Sequence, residues 1–136
     1  MTNEMIALID RLESEHVEVI EAVEALRPAI KGRDGEALFS ALSAAVDVLG
    51  TALNVHSVTE DEDLFPRIAP MIGEEMVGAF AEEHVTIRAL RDQVYARMEQ
   101  GEADFDGCAE LCELLASHMT REDIALFPAA RGVLAD

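Results

Sequence analysis

The chain contains no tryptophan, and aromatic residues make up only 4% of its 136 residues. Aromatic and β-branched side chains pack best on a pleated sheet, whereas alanine, leucine and glutamate favour helices. Half of the residues are hydrophobic, so the chain can bury a core and is not of the disordered class. The composition therefore predicts one all-α domain over residues 1–136, an ordinary length for a single domain.

Basic residues are scarce as well. Ten lysines and arginines stand against 28 acidic residues, which gives a net charge of −18. Nucleic acids and anionic membrane surfaces both attract basic proteins, so neither is an expected partner. An acidic excess can draw cations toward the molecule, although a solvated acidic surface accounts for it equally well.

No long apolar run is present. A membrane-spanning helix needs about 20 apolar residues, and a secretory signal needs a basic segment followed by an apolar one. The sequence shows neither pattern, so a cytoplasmic location is expected. The two cysteines, Cys108 and Cys112, lie four residues apart on a predicted helix, where disulfide geometry is rarely met, and reduced thiols are expected.

Prolines, glycines and capping residues divide the chain into four predicted helices. The first covers residues 4–26, after a possible cap at Asn3 and before Pro28, and the second covers residues 36–65, after Asp34-Gly35 and up to Pro66. The third covers residues 74–100, and the fourth runs from Asp104 or Asp106 to Pro128. Apolar residues recur in each at intervals of three and four, the pattern of a helix with one buried face. Because the connections are short, we expect an up-down-up-down antiparallel four-helix bundle.

The chain also contains an internal repeat. Residues 56–66 (HSVTEDEDLFP) and 118–128 (HMTREDIALFP) both fit the pattern H-x-x-x-E-D-x-x-L-F-P. A weaker match precedes each copy, EHV at residues 15–17 and again at 83–85. The repeat predicts two helix pairs related by pseudo-twofold symmetry.

All four histidines fall inside this repeat, one on each predicted helix: His16, His56, His84 and His118. Each continues the apolar stripe of its helix and should point into the interior. A single histidine on such a face is usually a hydrogen-bonded core residue. Four of them need a common partner, because a buried polar group without one costs about 1–3 kcal/mol.

Two glutamates share these faces. Glu60 and Glu122 each follow a histidine by four residues, so they lie on the same side of the helix. A carboxylate that faces a core is costly unless it is paired or bound to a metal. Four histidines and two glutamates therefore predict a dinuclear metal site, with Leu64 and Leu126 closing one end. Nitrogen and oxygen ligands without thiolate suit iron or manganese, and zinc is a further alternative.

The set H…HxxxE…H…HxxxE, followed twice by LFP, resembles the hemerythrin-like family, also called the HHE cation-binding domain, from His16 to Pro128. The resemblance implies a four-helix bundle that holds two non-haem iron ions with an oxo or hydroxo bridge. It assigns His16 and His56 to one iron and His84 and His118 to the other. Glu60 and Glu122 would bridge the pair.

The chain departs from the family's oxygen carriers at one position and matches them at another that affects the ligand assignment. They have a fifth histidine one turn after the residue matching His84, where this chain has Arg88, and they use an aspartate at the position of Asp123. Asp123 is thus an alternative ligand to Glu122. Arg88 could donate to an exogenous ligand or neutralise a helix glutamate. Asp61 and Asp123 could orient imidazoles or be solvated, and Tyr95 is expected to be too distant to ligate.

The resemblance implies a protein that binds or processes O₂, peroxide or nitric oxide in oxidative or nitrosative stress. With four histidines the chain is more similar to bacterial hemerythrin-like proteins and iron-centre repair proteins than to the oxygen carriers. The alternative is a non-enzymatic module for iron or oxygen sensing, storage or carriage. A bundle that holds zinc, or no metal, is the third reading.

Overall fold

The computed structural model describes residues 2–135, with the side chains of residues 4–135, and this range is helical with no strand. Five helices follow one another: α1 (Thr2–Gly32), α2 (Gly35–Ala44), α3 (Val48–Ile72), α4 (Glu74–Glu99) and α5 (residues 105–134). The prediction of an all-α fold is confirmed.

Several helix ends lie where the sequence predicts them. The Asp34 carboxylate caps α2 by accepting a hydrogen bond from the Ala37 amide, and Asp104 caps α5 through the Gly107 amide. Gly73, at a φ of 122° that side chains disfavour, separates α3 from α4. α4 covers all but the last residue of its predicted range.

The expectation that prolines end the helices is wrong. Pro28 lies inside α1, α3 continues past Pro66 to Ile72, and α5 continues past Pro128. A proline inside a helix removes one hydrogen bond and clashes with the carbonyl four residues earlier. In α3 and α5 a π-helical turn precedes the proline, at Glu60–Leu64 and Glu122–Leu126, and this wider turn accommodates it. The predicted cap at Asn3 is also wrong, because α1 already includes Thr2; the Asn3 side chain lies outside those described.

The second predicted helix is two helices. The chain bends by 61° between α2 and α3. On the α2 side of the bend, Leu38 and Leu42 are buried against α1, and a π-helical turn at Val48–Ala52 opens α3. Apolar spacing alone did not reveal this break, because buried leucines continue at helical intervals on both sides of it.

The core has two apolar parts. The large core cluster includes Val19, Val23, Leu49, Leu111 and Cys108. The small core cluster consists of Met5, Ile9, Leu12, Leu64, Phe65, Ile68, Ala69, Val77, Phe80, Leu126, Phe127 and Ala130. Along every long helix a histidine stands where one cluster gives way to the other.

The long helices pack in a ring. α1 contacts α2, α3 and α5, and α4 contacts α3 and α5. Among the described residues no single helix has the length and apolar character needed to cross a bilayer, while the bent pair of α2 and α3 together passes that test by length and composition only.

Candidate metal centre

Four imidazoles meet between the two core clusters. The four histidines lie on α1, α3, α4 and α5 and are only 1–3% exposed. They form two pairs: the ring centroids of His16 and His56 lie 5.0 Å apart, and those of His84 and His118 lie 4.9 Å apart. In the first pair the two Nε2 atoms approach to 3.3 Å. The inward direction expected of all four histidines is therefore what the structure shows.

Both predicted glutamates lie among these imidazoles and are fully buried. Glu60 Oε1 is 3.0 Å from His84 Nε2 and 3.5 Å from His56 Nε2. Glu122 Oε1 is 3.0 Å from His16 Nε2, and its Oε2 is 3.4 Å from His118 Nε2. Each carboxylate thus faces one histidine from each pair.

The six residues divide into two overlapping groups with metal-binding geometry. One group is His16, His56, Glu60 and Glu122, and the other is Glu60, His84, His118 and Glu122. Within each group, four possible ligand atoms lie within 4.8 Å of one another. Because both glutamates belong to both groups, the arrangement provides two adjacent cation positions that share two carboxylates.

Several atoms of this cluster have no hydrogen-bond partner among the described residues. These buried atoms are Glu60 Oε2, both carboxylate oxygens of Glu122 and the His118 Nε2. A buried, unsatisfied polar atom costs roughly 1–3 kcal/mol, and more if it is charged. Cations bound between the glutamates and the histidines would compensate these four atoms, so the residues present fit a metal site.

The electrostatics of the metal-free cluster agree with this. Burial, together with the neighbouring Glu122 carboxylate, raises the pKa of Glu60 well above its ordinary value. Burial also lowers the pKa of His84, which favours the neutral imidazole that can ligate a metal, whereas at His118 the Glu122 and Glu83 carboxylates outweigh burial and raise the pKa. Two carboxylates this close cannot both stay charged without a proton or a cation between them.

A second carboxylate contacts the outer nitrogen of every histidine. The Nδ1 atoms of His16, His56, His84 and His118 lie 2.8, 2.8, 2.9 and 2.6 Å from the carboxylates of Asp123, Glu15, Asp61 and Glu83, respectively. A carboxylate at Nδ1 holds the proton there, and the Nε2 lone pair is then free to point inward.

These outer contacts follow the sequence repeat. Asp61 and Asp123 each reach a histidine of the other half, whereas Glu15 and Glu83 reach one of their own half. The phenylalanines of the two LFP segments follow the aspartates: Phe65 stacks on His84 and Phe127 on His16. One copy of the motif thus supplies an inner carboxylate, an outer carboxylate and an aromatic face.

Two open alternatives can now be described. Asp123 binds the outer side of His16 and does not join the inner groups, where Glu122 lies. Asp61 and Asp123 each contact an imidazole, which is one of the two alternatives predicted for them. Each carboxylate is also about one-third exposed. Glu15, Glu83 and the phenylalanines were missed by sequence reasoning. The repeated EHV segment and the two LFP segments were the signals that could have indicated them.

The remaining candidates lie outside the cluster. Arg88 is half-buried, and among residues 4–135 it has no hydrogen bond or ion pair to the histidines and glutamates. Tyr95 donates a hydrogen bond to the Leu42 carbonyl beside the large core cluster. Leu64 and Leu126 are fully buried in the small core cluster. Cys108 and Cys112 are free thiols in the large core cluster, not in either metal-binding group.

Comparisons with models of protein families, with curated proteins and with solved structures give no match for this chain.

Proposed function

We propose that this chain is a hemerythrin-like metalloprotein, an antiparallel four-helix bundle that holds two iron ions and binds or processes O₂, peroxide or nitric oxide. α2 and α3 together would form the second helix of that bundle. The ring of contacts among α1, α3, α4 and α5 and the repeated motif support this architecture.

The observation that carries the proposal is the pair of four-residue groups sharing Glu60 and Glu122. His16 and His56 would hold one iron, His84 and His118 the other, and the two glutamates would bridge them. Nitrogen and oxygen donors without thiolate match iron. The two cysteines lie in the large core cluster and belong to neither metal-binding group. When bound, a pair of iron ions of this kind supplies electrons for redox chemistry on a small oxidant or diatomic ligand.

The chain's own residues contribute position and shielding. The four outer carboxylates fix each imidazole with its Nε2 inward. The large and small core clusters lie on both sides of the layer of histidines and glutamates, whose side chains are at most 3% exposed. A rigid and water-poor setting strengthens every electrostatic interaction within it.

Metal analysis combined with an optical spectrum tests the proposal. Protein reconstituted anaerobically with ferrous iron should hold about two irons per chain, two being the number of ligand groups. After oxidation it should show near-ultraviolet charge-transfer absorption, and the variant His56→Ala should lose both properties. Zinc alone, or no metal after reconstitution, would refute the di-iron proposal.

The same preparation separates catalysis from a sensing, storage or carrier role. Peroxide consumption or nitric oxide reduction that depends on iron and is lost in Glu60→Ala would show turnover at the centre. Reversible ligand binding without turnover would instead favour the non-enzymatic alternative. Turnover that persists in Glu60→Ala would place the activity elsewhere.

A further inference from the structure

The two halves of the candidate centre differ in how they meet the surface. A cleft of about 280 Å³ between α1 and α3 reaches His56 and its outer partner Glu15. The side chains of Val19, Ala52 and Val55 form its walls, and Glu18 lies beside Glu15 at its edge. This cleft therefore connects solvent with one of the proposed ligands.

The equivalent groove in the other half stops short of the centre. The repeat aligns His56 with His118, Ala52 with Leu114 and Thr59 with Arg121. The groove between α4 and α5 is larger, about 600 Å³, and is lined by Leu114, yet neither His118 nor Glu83 contributes to it. A leucine in place of an alanine accounts for part of this difference.

Arg121 is a second difference between the two halves. Its Nη2 donates to both carboxylate oxygens of Glu83 at 2.7 Å, and its guanidinium lies over the Phe80 ring, 5.4 Å from the centroid. The arginine covers the outer partner of His118. At the equivalent position Thr59 bonds its own helix, its hydroxyl donating to the Val55 carbonyl. Among the described arginines and lysines, Glu15 pairs only with the exposed Arg11, whose Nε lies 3.8 Å from its Oε2. It therefore has looser cover than Arg121 gives to Glu83.

His56 is also the least restrained of the four histidines. His16, His84 and His118 each pack against a phenylalanine ring, at 5.5, 5.7 and 5.4 Å between centroids. Among the described residues, the only ring that packs on His56 is that of His16. The repeat places Leu12 where Phe80 contacts His118. The outer partner of His56, the Glu15 carboxylate, is 38% exposed, against 24% for Glu83.

We propose that divalent metal ions enter the centre through the cleft between α1 and α3, with His56 and Glu15 as a gate that opens toward solvent. The inference rests on the proposed function, because it presumes a metal centre. The carboxylates of Glu15 and Glu18 at the cleft suit a cation, and the net charge of −18 raises the cation concentration near the surface. His56 would then be the last histidine to engage the ion.

The rate of metal uptake tests this route. The double variant Ala52→Leu/Thr59→Arg copies the closed half onto the open one, and Ala52 is exposed, so the fold should tolerate it. Metal-free protein is mixed with Co²⁺ in a stopped-flow instrument, and the visible absorption of the bound ion is followed. Since electrostatic access changes association rates by about 10–10³-fold, we expect uptake at least tenfold slower, with the final two ions per chain unchanged.

Controls separate the route from its alternatives. Thr86→Arg adds the same charge to the groove between α4 and α5, and uptake should keep the wild-type rate. Ala52→Leu alone, which changes no charge, should slow uptake in the same direction. If the double variant loads as fast as the wild type, or Thr86→Arg slows loading equally, the route is wrong while the metal centre stands. If the wild-type chain binds no metal ion, the proposed function itself fails and the route with it.

Discussion

At the scale of single residues, the candidate centre depends on pairs of side chains. Every imidazole carries a carboxylate on its outer nitrogen, within 2.6–2.9 Å. Without that partner an imidazole can carry its proton on either nitrogen, and only one of the two forms presents Nε2 to a metal. The four outer carboxylates therefore determine what fraction of the molecules presents all four Nε2 lone pairs to a metal.

Removing the negative charge of one outer carboxylate should weaken metal binding. For Asp61→Asn and Asp123→Asn we expect an affinity about 10–100-fold lower, since outer partners of metal-bound histidines have effects of this size. Competition with a chelator of known affinity measures the change. Asp63→Asn is the matched control, because Asp63 is an exposed residue on the same π-helical turn as Asp61. Equal losses in all three variants would mean that overall charge matters, not the imidazole contact.

Replacing an inner carboxylate should stabilise the metal-free protein and weaken its metal binding. Glu60 is fully buried, and its Oε2 has no hydrogen-bond partner in the described part of the chain. Glu60→Gln removes a buried acid beside Glu122, so the free energy of unfolding of the metal-free protein should rise by roughly 1 kcal/mol or more. Urea unfolding in excess chelator measures this, and the same experiment with ferrous iron should show a smaller metal-dependent gain than the wild type. A metal-free variant less stable than the wild type would contradict the idea that the carboxylate is kept for a cation.

The sequence could predict the inner residues because they share helix faces with apolar neighbours. His56 and Glu60 are four residues apart, and this spacing alone places them together. The outer partners of the imidazoles could not be assigned in the same way. Whether Asp61 reaches His84 depends on how α3 and α4 are rotated against each other, and no single-helix pattern contains that rotation.

At the scale of the elements, the π-helical turns explain how the motif works. An α-helix turns about 100° per residue, so in a regular helix Phe65 would lie about 180° from His56, nine residues earlier. In the structure the Phe65 amide bonds the Glu60 carbonyl, five residues back, and the phenylalanine is buried against His84. The π-helical turn takes up one residue more than an α-helical turn, so Phe65 stays on the inward side of the helix. The same turn, at Glu122–Leu126, does this for Phe127.

Adding a further residue to this turn should therefore damage the core. Deletion of Asp63 would leave Glu60 and Phe65 four residues apart on one face of a regular helix, whereas an alanine inserted after Asp63 makes the separation six residues, about 240° around a regular helix, so both could not face inward. We expect a loss comparable to truncating a buried phenylalanine, about 3 kcal/mol or more in the free energy of unfolding. Asp63→Ala, which keeps the residue count, should cost little because Asp63 is exposed. Urea unfolding of the metal-free proteins gives both values, and similar losses would show that the π-helical turn has no such role.

The presence of helices was predictable from this sequence, but only some of the helix ends were. Asp34 and Asp104 gave two starts correctly because capping is a local interaction. Pro66 and Pro128 gave two ends incorrectly, because a wider turn before each proline removes the clash that would stop the helix. The bend between α2 and α3 arises from packing on α1, which apolar spacing within the segment does not record.

At the scale of the whole molecule, the candidate metal centre lies between two core clusters that are otherwise separate. Its candidate ligands come from α1, α3, α4 and α5, so opening the large core cluster should disturb the centre. Cys108 and Cys112 report on that opening, since they are 0% and 1% exposed. Burial raises the pKa of Cys108 to about 12 and that of Cys112 to about 11, so in the folded protein both thiols stay protonated at neutral pH.

Alkylation of these thiols should therefore proceed only through opened molecules, and metal binding should suppress it. A ligand that binds only the closed state reduces the opened fraction by about 100-fold at a concentration of 100 times its Kd. Iodoacetamide labelling at pH 8, followed by mass spectrometry with and without ferrous iron under anaerobic conditions, should show a slowing of that order when reclosing is faster than labelling. His84→Ala removes one ligand from the second group and should lose most of the protection. Labelling that is equally fast with and without bound iron would mean that the large core cluster opens while the four ligand-bearing helices stay joined at the centre.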